Sequence, residues 1–180
     1  MNGAILCSPK RHVDHRGYFS ETASQRDLQA RGIEDFFVQE NESVSLSAGT
    51  LRGLHFQAPP FSQAKLVRCV QGQIYDVVVD IRKGSPHYGQ WSGYDLSEDN
   101  GNQLYVPHGF AHGFITLRAN TKVIYKCSSY YEPTAEGAIC WDDKNLNIDW
   151  PLKAAPLLSD KDAQANSFSR LDSPFTWEPR

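Results

Sequence analysis

Short strand-like runs recur along this chain at intervals of roughly ten residues, and Gly or Pro punctuates the gaps between them. The runs are Asp35 to Ser45, Lys65 to Val70, Gln73 to Arg82, Gln90 to Leu96, Leu104 to Val106 and Thr121 to Cys127. That spacing is the pattern of an antiparallel sandwich or barrel, since each strand is too short to be buried except against a second sheet. Within Asp35 to Ser45 the period-two rule puts Phe36, Val38 and Glu40 on one face and Phe37, Gln39 and Asn41 on the other. Gln71-Gly72 reads as a hairpin turn between its flanking strands. In the second of these strands Ile74, Asp76, Val78, Asp80 and Arg82 share a face. Asp76 there is either on a solvated sheet surface or in a polar cavity. Met1 to Ser8 reads as a short first strand stopped by Pro9. Thr22 to Arg31 reads as a helix capped by Ser24 and ended at Gly32. The tail is irregular, with Trp141, Trp150, Pro151 and Pro156, until a short helix opens at Ser159, with Asp162 three residues on where a capping box normally has Glu.

At 180 residues, the expectation is one domain over residues 1–180 with a real core. A formal net charge of −3 argues against a nucleic-acid partner, while anionic small ligands need only a few placed Arg and Lys. The four cysteines lack any C-x-x-C pair, which suits reduced thiols better than disulfides or a zinc site. No run of 18 apolar residues occurs, so neither a signal peptide nor a membrane span is expected, and the chain reads as soluble and cytoplasmic.

The chemistry concentrates at Gly49-Thr50-Leu51-Arg52-Gly53-Leu54-His55-Phe56-Gln57, with Lys65 eight residues further on. His55 stands between Leu54 and Phe56 in an extended segment, so its ring faces away from both. It is either a surface histidine on a strand or a base in a cavity, with Arg52 and Lys65 handling negative charge beside it.

Two stretches resemble the motifs of cupins, which are small jelly-roll barrels. Gly49 to His55 fits G-x5-H, and Gly101 to His112 fits G-x5-P-x-G-x2-H. Metal-binding cupins continue the first motif with a second His and a Glu. Here Gln57 takes the place of that His, and no Glu lies between Gln57 and Gly72. Two histidines without the carboxylate make a poor site for a divalent ion, so no metal and no other cofactor is expected.

The segments DHRGYFSE, FVQEN, GTLRGLHFQ, KLVRCVQG, DVVVDIRKGSP, LYVPHGFAHGF, VIYK and LSDKDA occur in that order. Together they resemble the dTDP-4-dehydrorhamnose 3,5-epimerases, a metal-independent cupin family. The resemblance implies an all-β, cupin-type antiparallel jelly-roll barrel with short peripheral helices. It also implies a homodimer that binds a dTDP-sugar, with no nucleic-acid or membrane partner. Carried over residue by residue, it makes His55 the base, Asp162 its acidic partner, Tyr125 the proton donor, and Lys65 and His112 sugar-side residues. Arg16, Glu21, Gln39, Glu40, Asn41, Arg52, Glu136 and Lys161 match the nucleotide-contacting set, and Tyr131 the aromatic that stacks on thymine. Two positions depart from the family pattern: His87, where Thr is frequent, and His108, where Glu is common. Neither removes a group the reaction needs.

The chemistry asks for these residue types. Inverting carbons 3 and 5 beside a ketone at carbon 4 requires a base of near-neutral pKa, a cation or donor for the enolate oxygen, and an acid on the opposite face. The diphosphate requires Arg or Lys. Epimerases of a single carbon in another deoxysugar pathway share this set. A 3,4-ketoisomerase fits LRGLHFQ and the terminal KDA less well. A non-catalytic nucleotide-sugar-binding cupin has no use for His55, Tyr125 and Asp162 together.

Overall fold

A computed structural model describes residues 3–179. Its strands are β1 (Ile5–Cys7), β2 (His12–Asp14), β3 (Gly17–Phe19), β4 (Gln39–Ser45), β5 (Leu51–Gln57) and β6 (Lys65–Gln71). After these come β7 (Gln73–Asp80), β8 (Trp91–Ser97), β9 (Gln103–Val106), β10 (Phe110–Thr116), β11 (Thr121–Cys127) and β12 (Glu136–Ala138). The helices are α1 (Gln25–Ala30) and α2 (Asp160–Ala163), with single 3-10 turns at Pro133–Ala135 and Phe168–Arg170. One five-stranded sheet runs β1-β9-β6-β11-β4 and the other β12-β5-β10-β7-β8, with β2-β3 as a separate hairpin. Pairing between these strands is antiparallel. The jelly-roll barrel expected from the sequence is the fold observed.

Alternation along the strands builds three apolar layers. Val67, Cys69, Leu104 and Val123 of the first sheet meet Ile74, Val78, Phe110 and Phe114 of the second, forming the core between them. The outer face of the first sheet packs Leu66 and Tyr105 against Leu28 of α1 and Ile33. The outer face of the second sheet carries Leu51, Leu54, Val77, Val79, Ala111 and Ile115. It is covered by Ile139, Leu146, Trp150 and Phe175 from the C-terminal segment. That segment has little regular structure, yet it is pinned. Leu51 N–H donates to Leu157 O, and Leu157 N–H to Gly49 O, which docks the tail at the start of β5 just ahead of α2.

Three sequence expectations shift. The first helix begins at Gln25 rather than Thr22, because the Gln103 side chain donates to Thr22 O and the Ser24 hydroxyl accepts from Asp27 N–H as the cap. The strand expected from Asp35 begins at Gln39, because the Asp35 carboxylate is held by Tyr105 and His108. Gln71-Gly72 does not close a hairpin: β6 and β7 belong to different sheets, and the chain crosses between them. Gly72 has φ +81° and gives its N–H to Glu98 Oε1, which steers the chain away from pairing with β6.

The decisive local feature is a bulge in β5. His112 of β10 lies opposite His55, and Phe114 opposite Arg52, so three steps on β5 face two on β10. Without the extra residue Arg52 and His55 would point to opposite faces. With it, Leu51, Leu54 and Phe56 go to the covered outer face and His55 turns inward. Gly53 permits this: its φ is +127°, and a Cβ there would stand 2.5 Å from Gly113 Cα and 2.8 Å from His112 O. Gly53→Ala should therefore push β5 away from β10 and lower stability by about 2 kcal/mol or more. Thermal unfolding should show a drop in Tm of at least about 4 °C.

Candidate active site

The two sheets enclose a cleft of about 100 Å³ lined by Gln39, Asn41, His55, Gln57, Lys65, Tyr125, Tyr131 and Glu136, among others. β4, β6 and β11 supply one wall and β5 and β12 the other. On the β5 wall His55 Nε2 lies 2.5 Å from Asp162 Oδ1. Asp162 is 3% exposed and sits on α2, where the Ser159 hydroxyl caps its N–H. Burial alone would raise the Asp162 carboxyl. His55, Ser159 and the Gly53 N–H together hold it below the ordinary carboxylate range. An ionised Asp162 fixes the proton of His55 on Nε2 and leaves Nδ1 as the basic nitrogen.

On the opposite wall Tyr125 and Lys65 stand together, the Lys65 ammonium 5.9 Å from the Tyr125 ring centre. Burial pushes the Tyr125 phenol up, so it keeps its proton at neutral pH. Burial pushes Lys65 down, against the fields of Cys127, Asp76 and Glu136. Lys65 forms no ion pair with any described residue, so its charge is available to a ligand.

At the rim, Tyr131 is 53% exposed. Its hydroxyl donates to Glu136 Oε2 at 2.7 Å, and its N–H to Gln39 Oε1 at 3.0 Å. Glu136 is also paired with Lys161. Burial would raise Glu136, but Lys161 and Tyr131 hold it below the usual carboxylate range. The Gln39 amide donates to Asn41 Oδ1, and Asn41 donates to Cys127 Sγ at 3.6 Å.

The structure thus brings together His55, Lys65, Tyr125, Asp162, Gln39, Asn41, Tyr131, Glu136 and Lys161. Others lie elsewhere in the single chain. Glu40 points out from β4 and pairs with Lys126, as its alternation with Gln39 and Asn41 demands. Arg52, on the same face as His55, is not among the cleft-lining residues and turns its guanidinium to Val44 O and Ser45 Oγ at the edge of β4, near enough for its charge to act on the Tyr125 phenol. Arg16 is held by Asp14 on the exposed β2-β3 hairpin. Glu21 lines a separate cavity of about 430 Å³ between β1, that hairpin and α1, which contains none of the titratable groups of the smaller cleft. His112 is directly cross-strand from His55 but buried, with Nε2 at 2.9 and 3.0 Å from the two oxygens of Asp76. Asp76, fully buried, is the residue sequence reasoning left open. Its inward alternation with Ile74 and Val78 was the signal, and only the pairing of β7 with β10 supplies its partner.

Comparison with known proteins decides the lineage. The family model of dTDP-4-dehydrorhamnose 3,5-epimerase matches residues 1–170. The chain belongs to this family. A 3,5-epimerase of Sinorhizobium fredii is 45% identical over 172 residues, covering 96% of this chain and 88% of that one. Among solved structures, the Bacillus anthracis epimerase with TDP and pyrophosphate bound is 49% identical with a TM-score of 0.89, covering 91% of this chain and 93% of its own. The Legionella pneumophila enzyme in complex with dTDP-4-keto-L-rhamnose is 43% identical with a TM-score of 0.93, covering 98% and 94%. An epimerase is an isomerase, and that is the enzyme class of this chain. No helix of the described residues is long and apolar enough to cross a membrane.

The lowered Asp162 carboxyl makes stability depend on pH. A depressed folded pKa contributes stability that is present above the unfolded value, about 4, and is lost as pH falls through the folded one. Asp162→Asn should cost about 1.5–3 kcal/mol near neutrality, the range for hydrogen bonds to a charged group. The gap between parent and variant in urea unfolding should narrow steadily toward pH 3.

Proposed function

We propose that this 3,5-epimerase family member converts dTDP-4-keto-6-deoxy-D-glucose to dTDP-4-keto-L-rhamnose with His55 as base and Tyr125 as acid. The observation that carries this reading is that the His55–Asp162 pair and the Tyr125–Lys65 pair stand on opposite walls of one cleft. His55 Nδ1 takes a proton from the carbon beside the ketone, and Asp162 stabilises the imidazolium. The electron pair moves into an enolate, whose oxygen Lys65 stabilises in a water-poor site. Tyr125 returns a proton from the other side, which inverts the carbon. Return from the His55 side restores the starting sugar.

The cleft is smaller than the roughly 300–1,000 Å³ of ordinary ligand pockets. It holds the sugar ring, then, while the nucleotide lies along the rim. There Tyr131 stacks on the base, with Gln39, Asn41, Glu136 and Lys161 around it. Arg16 and Glu21 reach the nucleotide only from another chain. The β2-β3 hairpin that precedes Glu21 is exposed throughout, with Val13 at 77%, Tyr18 at 51% and Phe19 at 72%, a surface suited to a second copy. The working unit in this reading is a homodimer in which each hairpin closes its partner's rim. Sedimentation velocity should give a two-chain species, and a purely monomeric active enzyme would remove Arg16 and Glu21 from the site.

The mechanism is tested by incubation with the keto sugar nucleotide in deuterated water, followed by reduction and sugar identification. His55→Asn should reduce both deuterium entry and inverted product by at least about 100-fold. Tyr125→Phe keeps the base and Lys65, so deuterated starting sugar should accumulate relative to inverted product. Parent-rate inversion by Tyr125→Phe, or normal exchange by His55→Asn, sinks the two-wall assignment.

A further inference from the structure

Gln57 occupies the position where metal-binding cupins place a second histidine, and the catalytic scheme gives it no task. The structure gives it three backbone partners. Its Nε2 donates to Phe61 O and, at 3.0 Å, to Tyr130 O, while its Oε1 accepts from Glu132 N–H at 2.9 Å. The amide orientation is forced, because the opposite one would set its oxygen against two carbonyls. Both donors and one acceptor lone pair are committed, and the side chain is 5% exposed.

Two of these partners flank Tyr131. The Gln57 amide therefore grips the backbone of residues 130–132 as a neighbouring strand would, taking the carbonyl of one residue and the N–H of the next but one. From the other sheet, Gln39 takes the intervening N–H, that of Tyr131. Glu136, cross-strand from Gln57 on β12, takes the Tyr131 hydroxyl. An irregular segment with two exposed tyrosines is thus suspended across the cleft mouth at four points, and the phenol ring is fixed at both ends.

We propose that Gln57 is a positioning residue for nucleotide recognition: it sets the height and tilt of the Tyr131 ring over the rim and touches no reacting atom. The inference rests on the reading of this cleft as a dTDP-sugar site. Gln57→Met keeps length and bulk and removes all three hydrogen bonds. The Tyr131 ring then loses its fixed placement, while His55, Lys65 and Tyr125 keep theirs.

The test measures dTDP affinity by calorimetry and turnover of the keto sugar nucleotide for four proteins: parent, Gln57→Met, Tyr131→Ala and the double variant. Gln57→Met should weaken dTDP binding and raise KM by about tenfold, the effect of one or two net hydrogen bonds, with kcat within about threefold of parent. In the Tyr131→Ala background the same substitution should change dTDP affinity by less than about twofold, because the residue it serves is gone. Should Gln57→Met fail to fold, Gln57→Glu, which sets a carboxylate against the two carbonyls, takes its place in the same cycle. Additive losses, or a fall in kcat with KM unchanged, overturn the proposal and leave the epimerase reading intact. A parent enzyme that binds no dTDP overturns both.

Discussion

One carboxylate holds this site in register. Asp162 bonds the ring of His55 and the backbone N–H of Gly53, and it is itself placed by the Ser159 cap. Gly53 lies in the β5 bulge that turns His55 inward, so the group that orients the proposed base also braces the backbone distortion that presents it. The requirement reaches further. Asp162 arrives on a four-residue helix, far below the length at which a helix is stable alone. That helix is held because Leu157 pairs with the start of β5 and because Trp150, Leu146 and Phe175 bury the outer face of the same sheet. The tail's packing is thus a condition of the His55–Asp162 geometry.

The charges follow a similar economy of position. Lys65 is desolvated without an ion-pair partner among the described residues, which is costly unless something supplies the missing charge. Two unit charges about 4 Å apart gain roughly 4 kcal/mol at an effective dielectric constant of 20. In the mechanism proposed above, an enolate oxygen forming beside Lys65 makes that gain only as the reaction proceeds, and the ketone before it makes far less. This is differential stabilisation of the kind catalysis requires. Glu136, by contrast, is tied to Lys161 and Tyr131, so its charge is spoken for before any ligand arrives.

How far the sequence reveals all this varies with the range of the contact involved. Strand spacing and Gly/Pro punctuation are local, and they located β6 to β9 and β11 to within a residue or two at each end, whereas β10 was not among the expected runs. The Ser159 cap and the α2 turn were also legible, being set within four residues. Gln71-Gly72 misled because a hairpin and a crossing between sheets use the same turn residues, and only the partners of β6 and β7 tell them apart. Glu40 shows two signals in conflict. Motif matching placed it with Gln39 and Asn41, while strand alternation put it on the opposite face, and in this chain it pairs outward with Lys126. Arg16 and Glu21 were legible as charges in a motif, but no local pattern states which cavity, or whose, they face. Gln57 was legible only as a missing histidine. Its three partners come from two loops, 4 to 75 residues away in sequence.

Two His–Asp pairs made of the same parts lie side by side in this barrel, and their positions decide what each does. The His55 side chain is 28% exposed and faces the cleft; that of His112, its cross-strand neighbour, is 7% exposed and meets both oxygens of a fully buried Asp76. A base must exchange protons with a substrate, and only the first pair has that access. The second contributes through its field. Burial drives Lys65 toward neutrality, and Asp76 is among the groups that oppose the shift. A carboxylate closer to the ammonium would pair with it and neutralise its pull on the substrate. One turned aside to His112, and kept from water, limits the loss of charge without occupying the lysine. In the mechanism proposed above, Asp76 would therefore act on the enolate only indirectly, through the field it exerts on Lys65.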